Sequence, residues 1–183
     1  MIERLKKFWD EFGTKEFGIK YVLPAAGLFF TFGFFGHLYT QSLTTDDLIK
    51  TTGTVEYIGV ESEQGTKPQY KYYPLRIVLE ENRTFRLHDN FKLRFRALEN
   101  EIKIGDEISI HSRSQFQTYI GWGELADVYQ ITKGDKILFD IKWMMYYQKS
   151  QGSTFLFFGL ICWIIYIGIK LGRRSEKRHT ANK

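Results

Sequence analysis

Two apolar runs, Tyr21–Tyr39 and Thr154–Ile169, contain no Asp, Glu, Lys or Arg, and they bracket a polar stretch of the chain. As a helix the first run is about 29 Å long at 1.5 Å per residue, against a bilayer hydrocarbon core of about 30 Å. Tyr21 and Tyr39 stand at its two ends, where amphipathic rings favour the headgroup level, and Pro24 falls in the first turn, where a missing N–H costs least. The second run is shorter, but Lys170 can extend it by snorkelling. The pattern predicts transmembrane helices over residues 19–40 and 153–171. The first run exceeds the roughly 7–15 residues of a signal-peptide core. His37-Leu38-Tyr39-Thr40-Gln41 also lacks a small-x-small cleavage context, so an uncleaved anchor is expected.

Ahead of the first span, Ile2, Leu5, Phe8, Trp9 and Phe12 share one side of a helical wheel, with Glu3, Lys6, Lys7, Asp10 and Glu11 mostly opposite. Residues 1–17 therefore read as an amphipathic helix lying in the membrane interface. Between the spans, residues 41–150 alternate with period two. Val55, Tyr57 and Val60 mark one strand; Leu75, Ile77 and Leu79 mark a second; Glu81-Asn82 reads as a tight turn into Phe85 and Leu87. Asp106–Ser112 alternates through Ile108 and Ile110, and Val128–Ile131 with Lys136–Ile141 reads as a hairpin around Lys133-Gly134-Asp135. Phe91, Leu93 and Phe95 fit a strand, whereas Phe91, Phe95, Leu98 and Ile102 fit a helix; a short helix over Phe95–Glu101 is expected. The fold class is a membrane protein of α+β type. Two transmembrane helices flank a mainly antiparallel β domain, a small barrel or sandwich.

Charge orients this layout. Residues 1–20 hold five Lys/Arg and four Asp/Glu, residues 41–150 fifteen and sixteen, and residues 170–183 six and one. The formal net charge of +5 thus sits in the tail, 172–183, and its Lys170 border. Basic residues beside a span stay cytoplasmic. Both termini are expected in the cytoplasm, with residues 41–150 outside the plasma (inner) membrane. A basic tail is not a basic folded face, so nucleic acid is not an expected partner despite a pI near 9.2.

The opening strand Gly53-Thr54-Val55, the turn Lys103-Ile104-Gly105-Asp106 and the two flanking spans resemble small bacterial two-span membrane proteins of unknown function. That resemblance covers the whole layout and implies an extracytoplasmic OB-like or similar small barrel. It transfers no functional residue.

Chemistry is sparse. Ser109 and His111 share a strand face, but no Gly-x-Ser-x-Gly elbow or marked acid accompanies them. His88-Asp89 reads as a turn. The four histidines are scattered, Cys162 lies in a span, and Asn82-Arg83-Thr84 is a chance sequon. No metal, cofactor or catalytic residue is assigned. Arg83, Arg86, Lys92, Arg94 and Arg96 would form one cationic face if their segment were extended, and with Arg173 and Arg174 they are candidate anion- or lipid-binding residues. Tyr119 and Trp122, in the glycine-flanked stretch Tyr119–Leu125, are candidate partner anchors on a protruding loop, the equal alternative being that Trp122 folds back to plug one end of the barrel. The expected function is a non-enzymatic, membrane-anchored interaction module, an accessory subunit or an immunity-type protein. Its expected partners are the lipid bilayer and a protein, or a second copy. The alternatives are an anionic lipid- or glycan-binding envelope protein and, further behind, a hydrolase or an oligomeric pore.

Overall fold

The computed structural model describes residues 14–64, 71–121 and 127–181, without the side chains of residues 15, 63, 64 and 174–181. Residues 1–13, the bulk of the expected interfacial helix, and Trp122 lie outside the described residues. The chain divides into a helical unit, Met1–Leu38 with Ser150–Lys183, and a β unit, Tyr39–Lys149.

In the helical unit a turn at Lys15–Phe17 passes through a π-helical stretch, Gly18–Val22, into α1 (Leu23–Ser42). The other long helix, labelled α4 below, runs unbroken over Ile141–Ala181, so it starts well ahead of the predicted span. Asp140 ends the preceding strand region and caps it, Oδ1 accepting from the Lys142 N–H at 2.9 Å. Small residues let the two helices close on each other. A side chain at Gly27 would meet the Trp163 ring at 3.0 Å, one at Gly33 would occupy the place of the Phe155 ring, and Gly159 lies against Phe30. Trp163 Nε1 donates to Thr31 Oγ1 at 3.1 Å across the pair.

The remaining helix faces are apolar and turned outward. Phe32 is 66% exposed and Ile164 68%. The most apolar stretches within Gly18–Ser42 and Ile141–Arg173 are only 11% and 6% buried. A core helix of a soluble protein would be covered by its neighbours; these two are long and apolar enough to cross a membrane, and most of their apolar surface is uncovered among the described residues.

The β unit is built on β1 (Ile49–Val60), β2 (Glu63–Gln64), β3 (Lys71–Tyr72), β4 (Leu75–Leu79), β5 (Arg83–Leu87), α2 (Lys92–Glu101), β6 (Glu107–Ser112), α3 (Gln115–Gly121), β7 (Val128–Lys133) and β8 (Lys136–Phe139). Six strands form one antiparallel sheet in the order β5-β4-β1-β6-β7-β8; β2 and β3 pair separately. The long β1 serves two neighbours. Its first half, Ile49–Thr54, pairs with β6, and its second half, Val55–Val60, pairs with β4 past a bulge between Val55 and Tyr57. Gly53 stands where these halves meet, and a Cβ there would press on Arg83 Nη2 at 2.9 Å. One parallel bridge joins Arg86 of β5 to Asp127, just ahead of β7.

The period-two reading holds on β6, where Ile108 and Ile110 are buried, and for Leu75, Ile77 and Leu79 of β4, although Val78 between them is buried too; on β1 Val55 is buried but Tyr57 and Val60 are exposed. Glu81 and Asn82 both take positive φ, as a two-residue hairpin turn requires. The ambiguous segment is helical over Lys92–Glu101, with Phe95, Leu98 and Ile102 sealing the core. Tyr119–Gly121, expected in a loop, instead close helix α3, and the predicted strand Lys136–Ile141 ends at Phe139.

Candidate functional site

The arginine-rich segment does not form one face, because its second half is helical. Arg83 and Arg86 lie on β5, three residues apart and therefore on opposite sides of the pleat. Arg83 donates to the Glu80 and Thr52 carbonyls at 3.2 and 3.3 Å. Arg86 stands opposite Arg76 across the β4–β5 ladder. Lys92 and Arg96 are exposed one turn apart on α2, whereas Arg94 turns the other way and stacks its guanidinium 3.5 Å above the Trp143 ring. Arg173 forms a bidentate fork with Glu16, 2.7 and 2.9 Å, in a cleft also lined by Ile19, Lys20, Tyr166, Ile169 and Lys170. The Arg174 side chain lies outside the described residues.

Ser109 and His111 do share β6, but they are not brought together as a nucleophile and base. The Ser109 hydroxyl is held by Thr52 Oγ1 at 2.7 Å on the neighbouring strand. Burial, and then the charge of Lys50, push the His111 imidazole below its usual range, so it is neutral at pH 7. His88 accepts the Asn90 N–H through Nδ1 and stacks with Tyr72 and Tyr147, which is a structural cap. His37, which a span end would wet, is instead buried and packs on Phe155 with ring centroids 5.1 Å apart. Among the described residues no group of three or more His, Cys, Asp or Glu is placed to hold a metal ion.

Two features of the β unit escape the sequence reading. The first is Arg113, directly after β6 and 1% exposed. Its Nη2 reaches Asp127 Oδ2 at 3.5 Å, its guanidinium lies 5.3 Å from the Tyr129 ring, and among the described residues Nε and Nη1 have no hydrogen-bond partner. Thr40 in the last turn of α1 is fully buried here, and Gly121 leaves room for both Thr40 and Arg113. Burial raises the Tyr129 phenol above its usual range, with Gln148 of α4 beside it. An arginine at a strand end carries no sequence signal of burial.

The second is α3, whose polarity is inverted. Gln117 and Gly121 face inward, while Phe116, Tyr119 and Ile120 are 68%, 74% and 36% exposed. Gln117 and Ser114 bond reciprocally: Gln117 Oε1 accepts the Ser114 N–H at 2.8 Å and Ser114 Oγ accepts the Gln117 N–H at 3.3 Å. Ser-x-x-Gln is a capping box, the one signal in the sequence that marks this helix. Gln117 Nε2 also donates to the Asp47 carbonyl at 2.8 Å, tying α3 to the chain just past α1.

Comparison of the chain with family models, with curated proteins and with solved structures gives no match. The functional reading therefore rests on the physical layout alone.

Proposed function

We propose that the protein is a membrane-anchored, non-enzymatic interaction module. In this reading α1 and α4 cross the plasma membrane as a hairpin, with both flanks in the cytoplasm and residues 41–150 outside. The observation that carries it is the outward apolar surface of two mutually packed helices, joined to a folded β unit with its own core. An accessory subunit of a larger complex or an immunity-type protein fits this design. The β unit would close as a small OB-like barrel: the shared, bulged β1 and the parallel Arg86–Asp127 bridge between the two sides of the sheet support that geometry.

Crosslinking in native membranes, followed by purification of the tagged full-length chain, tests the module reading. A stoichiometric partner joined through residues 41–150 is the expected result. A chain recovered alone, under crosslinking that captures a known complex, would sink it. A second reading, binding of an anionic lipid, has one observation in its favour. The cleft of Lys20, Lys170 and Arg173 has apolar walls in Ile19, Tyr166 and Ile169, a combination suited to a headgroup above an acyl chain.

A further inference from the structure

We propose that Glu16 gates the basic cleft of the helical unit: it holds Arg173 until the phosphate of an anionic phospholipid takes its place. The proposal rests on the anionic-lipid reading above and adds the regulation of that same site.

The cleft is built wholly within the helical unit. Tyr166, Ile169, Lys170 and Arg173 are spaced i, i+3, i+4 and i+7 on α4, which is one helix face. Ile19 and Lys20 line the cleft from the π-helical stretch Gly18–Val22, a kind of turn that is rare inside helices and concentrates at functional sites. The lining holds three cations, Lys20, Lys170 and Arg173, against one carboxylate, Glu16. With Arg173 matched to Glu16, the two lysines give the lining a surplus of positive charge, which selects an anion. The Lys170 ammonium lies 5.5 Å over the Tyr166 ring, a contact that takes none of its N–H donors.

Arg173 meets Glu16 through two parallel hydrogen bonds. A phosphodiester offers the same match, with two non-bridging oxygens sharing one negative charge, so one anion can replace the other bond for bond. Exchange costs little because the fork is open to water, with the Arg173 side chain 44% and the Glu16 side chain 64% exposed, and exposed ion pairs are weak. The apolar walls assign the phosphate to a lipid. Ile19, Tyr166 and Ile169 stand at one end of the charge-free runs Tyr21–Tyr39 and Thr154–Ile169, where the acyl chain of the same molecule covers them. A free phosphate would leave those walls bare.

Native mass spectrometry of the full-length, detergent-solubilised chain reads the gate, with phosphatidylglycerol and phosphatidylcholine of the same acyl chains as probes. Phosphatidylglycerol is expected to bind more tightly than phosphatidylcholine, and Arg173→Gln to remove most of that preference. Glu16→Gln should strengthen phosphatidylglycerol binding about threefold, in line with the worth of an exposed ion pair. In an Arg173→Gln background the same change should have no effect, because the gate acts through Arg173. A preference that Glu16→Gln leaves unchanged or weakens, or that Arg173→Gln leaves intact, would overturn the gate and leave the anionic-lipid reading standing. An equal gain from Glu16→Gln with and without Arg173 would overturn it too, since Glu16 would then act by plain repulsion. No preference in either the native chain or Glu16→Gln would overturn both. Displacement of phosphatidylglycerol by inorganic phosphate would give the site to the free ion and overturn the lipid assignment. Arg173→Lys, which keeps the charge but cannot fork, is the repeat if Arg173→Gln does not fold.

Discussion

Arg113 is a buried charge with a long contact to Asp127, and two of its nitrogens have no hydrogen-bond partner among the described residues. Replacing both members of so poorly compensated a pair by apolar side chains of similar volume is neutral or stabilising by about 1–4 kcal/mol, whereas removing only the carboxylate strands the cation at up to about 3–5 kcal/mol. Asp127 keeps 21% exposure, so the loss should fall below that range. The double change Arg113→Met with Asp127→Leu is therefore expected to keep or raise the thermal midpoint of the detergent-solubilised protein, and Asp127→Asn alone to lower it. Equal losses in the two variants would mean that Arg113 has a partner its geometry does not reveal. Asp106 is the opposite case, an acid with good partners. The Lys133 ammonium and the Lys103 N–H hold its carboxyl below the ordinary aspartate value of 3.8. A lowered folded pKa stabilises above the unfolded value and is lost as pH falls through the folded one. Asp106→Asn should thus shrink the drop in thermal midpoint between pH 7 and about pH 3. A drop of unchanged size would show that the turn at Lys103–Asp106 does not need the charge.

At the scale of elements, two kinds of contact hold α1 to α4, and their magnitudes differ. The Trp163–Thr31 hydrogen bond is worth about 0.6 kcal/mol by the average of such bonds between membrane helices. A leucine at Gly33 would displace the Phe155 ring, and overpacking of that kind costs about 1–3 kcal/mol. Gly33→Leu should destabilise the helix pair several times more than Thr31→Val in a detergent unfolding titration. The reverse order would mean that polar contacts rather than close approach hold the pair. The same contrast explains what the sequence discloses. Strands whose one face is buried print a period-two pattern, so β4, β6 and the Glu81-Asn82 turn were legible, as were the two uninterrupted apolar runs. Period fails where polarity is inverted. In α3 the buried side chain is that of Gln117, so Gln115–Gly121 shows no apolar face toward a core and reads as loop, with only its capping box to mark it. The arginine-rich stretch misleads for a related reason. Phe91, Leu93 and Phe95 satisfy an extended pattern, and only the wider spacing through Leu98 and Ile102 points to the helix that scatters the cations. Arg113 shows why burial of a single polar residue is invisible in sequence: its neighbours, Thr40 on one side and Asp127 and Tyr129 on the other, come from two separate parts of the chain.

At the scale of the whole molecule, orientation is decided by where uncompensated positive charge lies. Residues 41–150 carry fifteen basic and sixteen acidic side chains, so the segment between the spans gives no orientation signal of its own. Residues 170–183 carry six basic and one acidic, immediately beside the second apolar run. Part of that excess is spoken for, since Arg173 is forked with Glu16, which under the proposed topology leaves the next residues of the tail as the principal orientation signal. The prediction that follows is a graded one. With the proposed topology, a cysteine at Ile104, in a Cys162→Ser background, should react with a membrane-impermeant maleimide in intact cells. Changing Arg174, Lys177 and Arg178 together to glutamine should leave a fraction of the chains inverted and cut that labelling by a measurable share, with full labelling restored on lysis. Changing Arg173 alone should do less, because losing one cation also frees Glu16, and acidic residues count little toward orientation. If Ile104→Cys is unreactive in intact cells and fully reactive only after lysis, the β unit faces the cytoplasm. The partner sought by crosslinking would then have to be a cytoplasmic one.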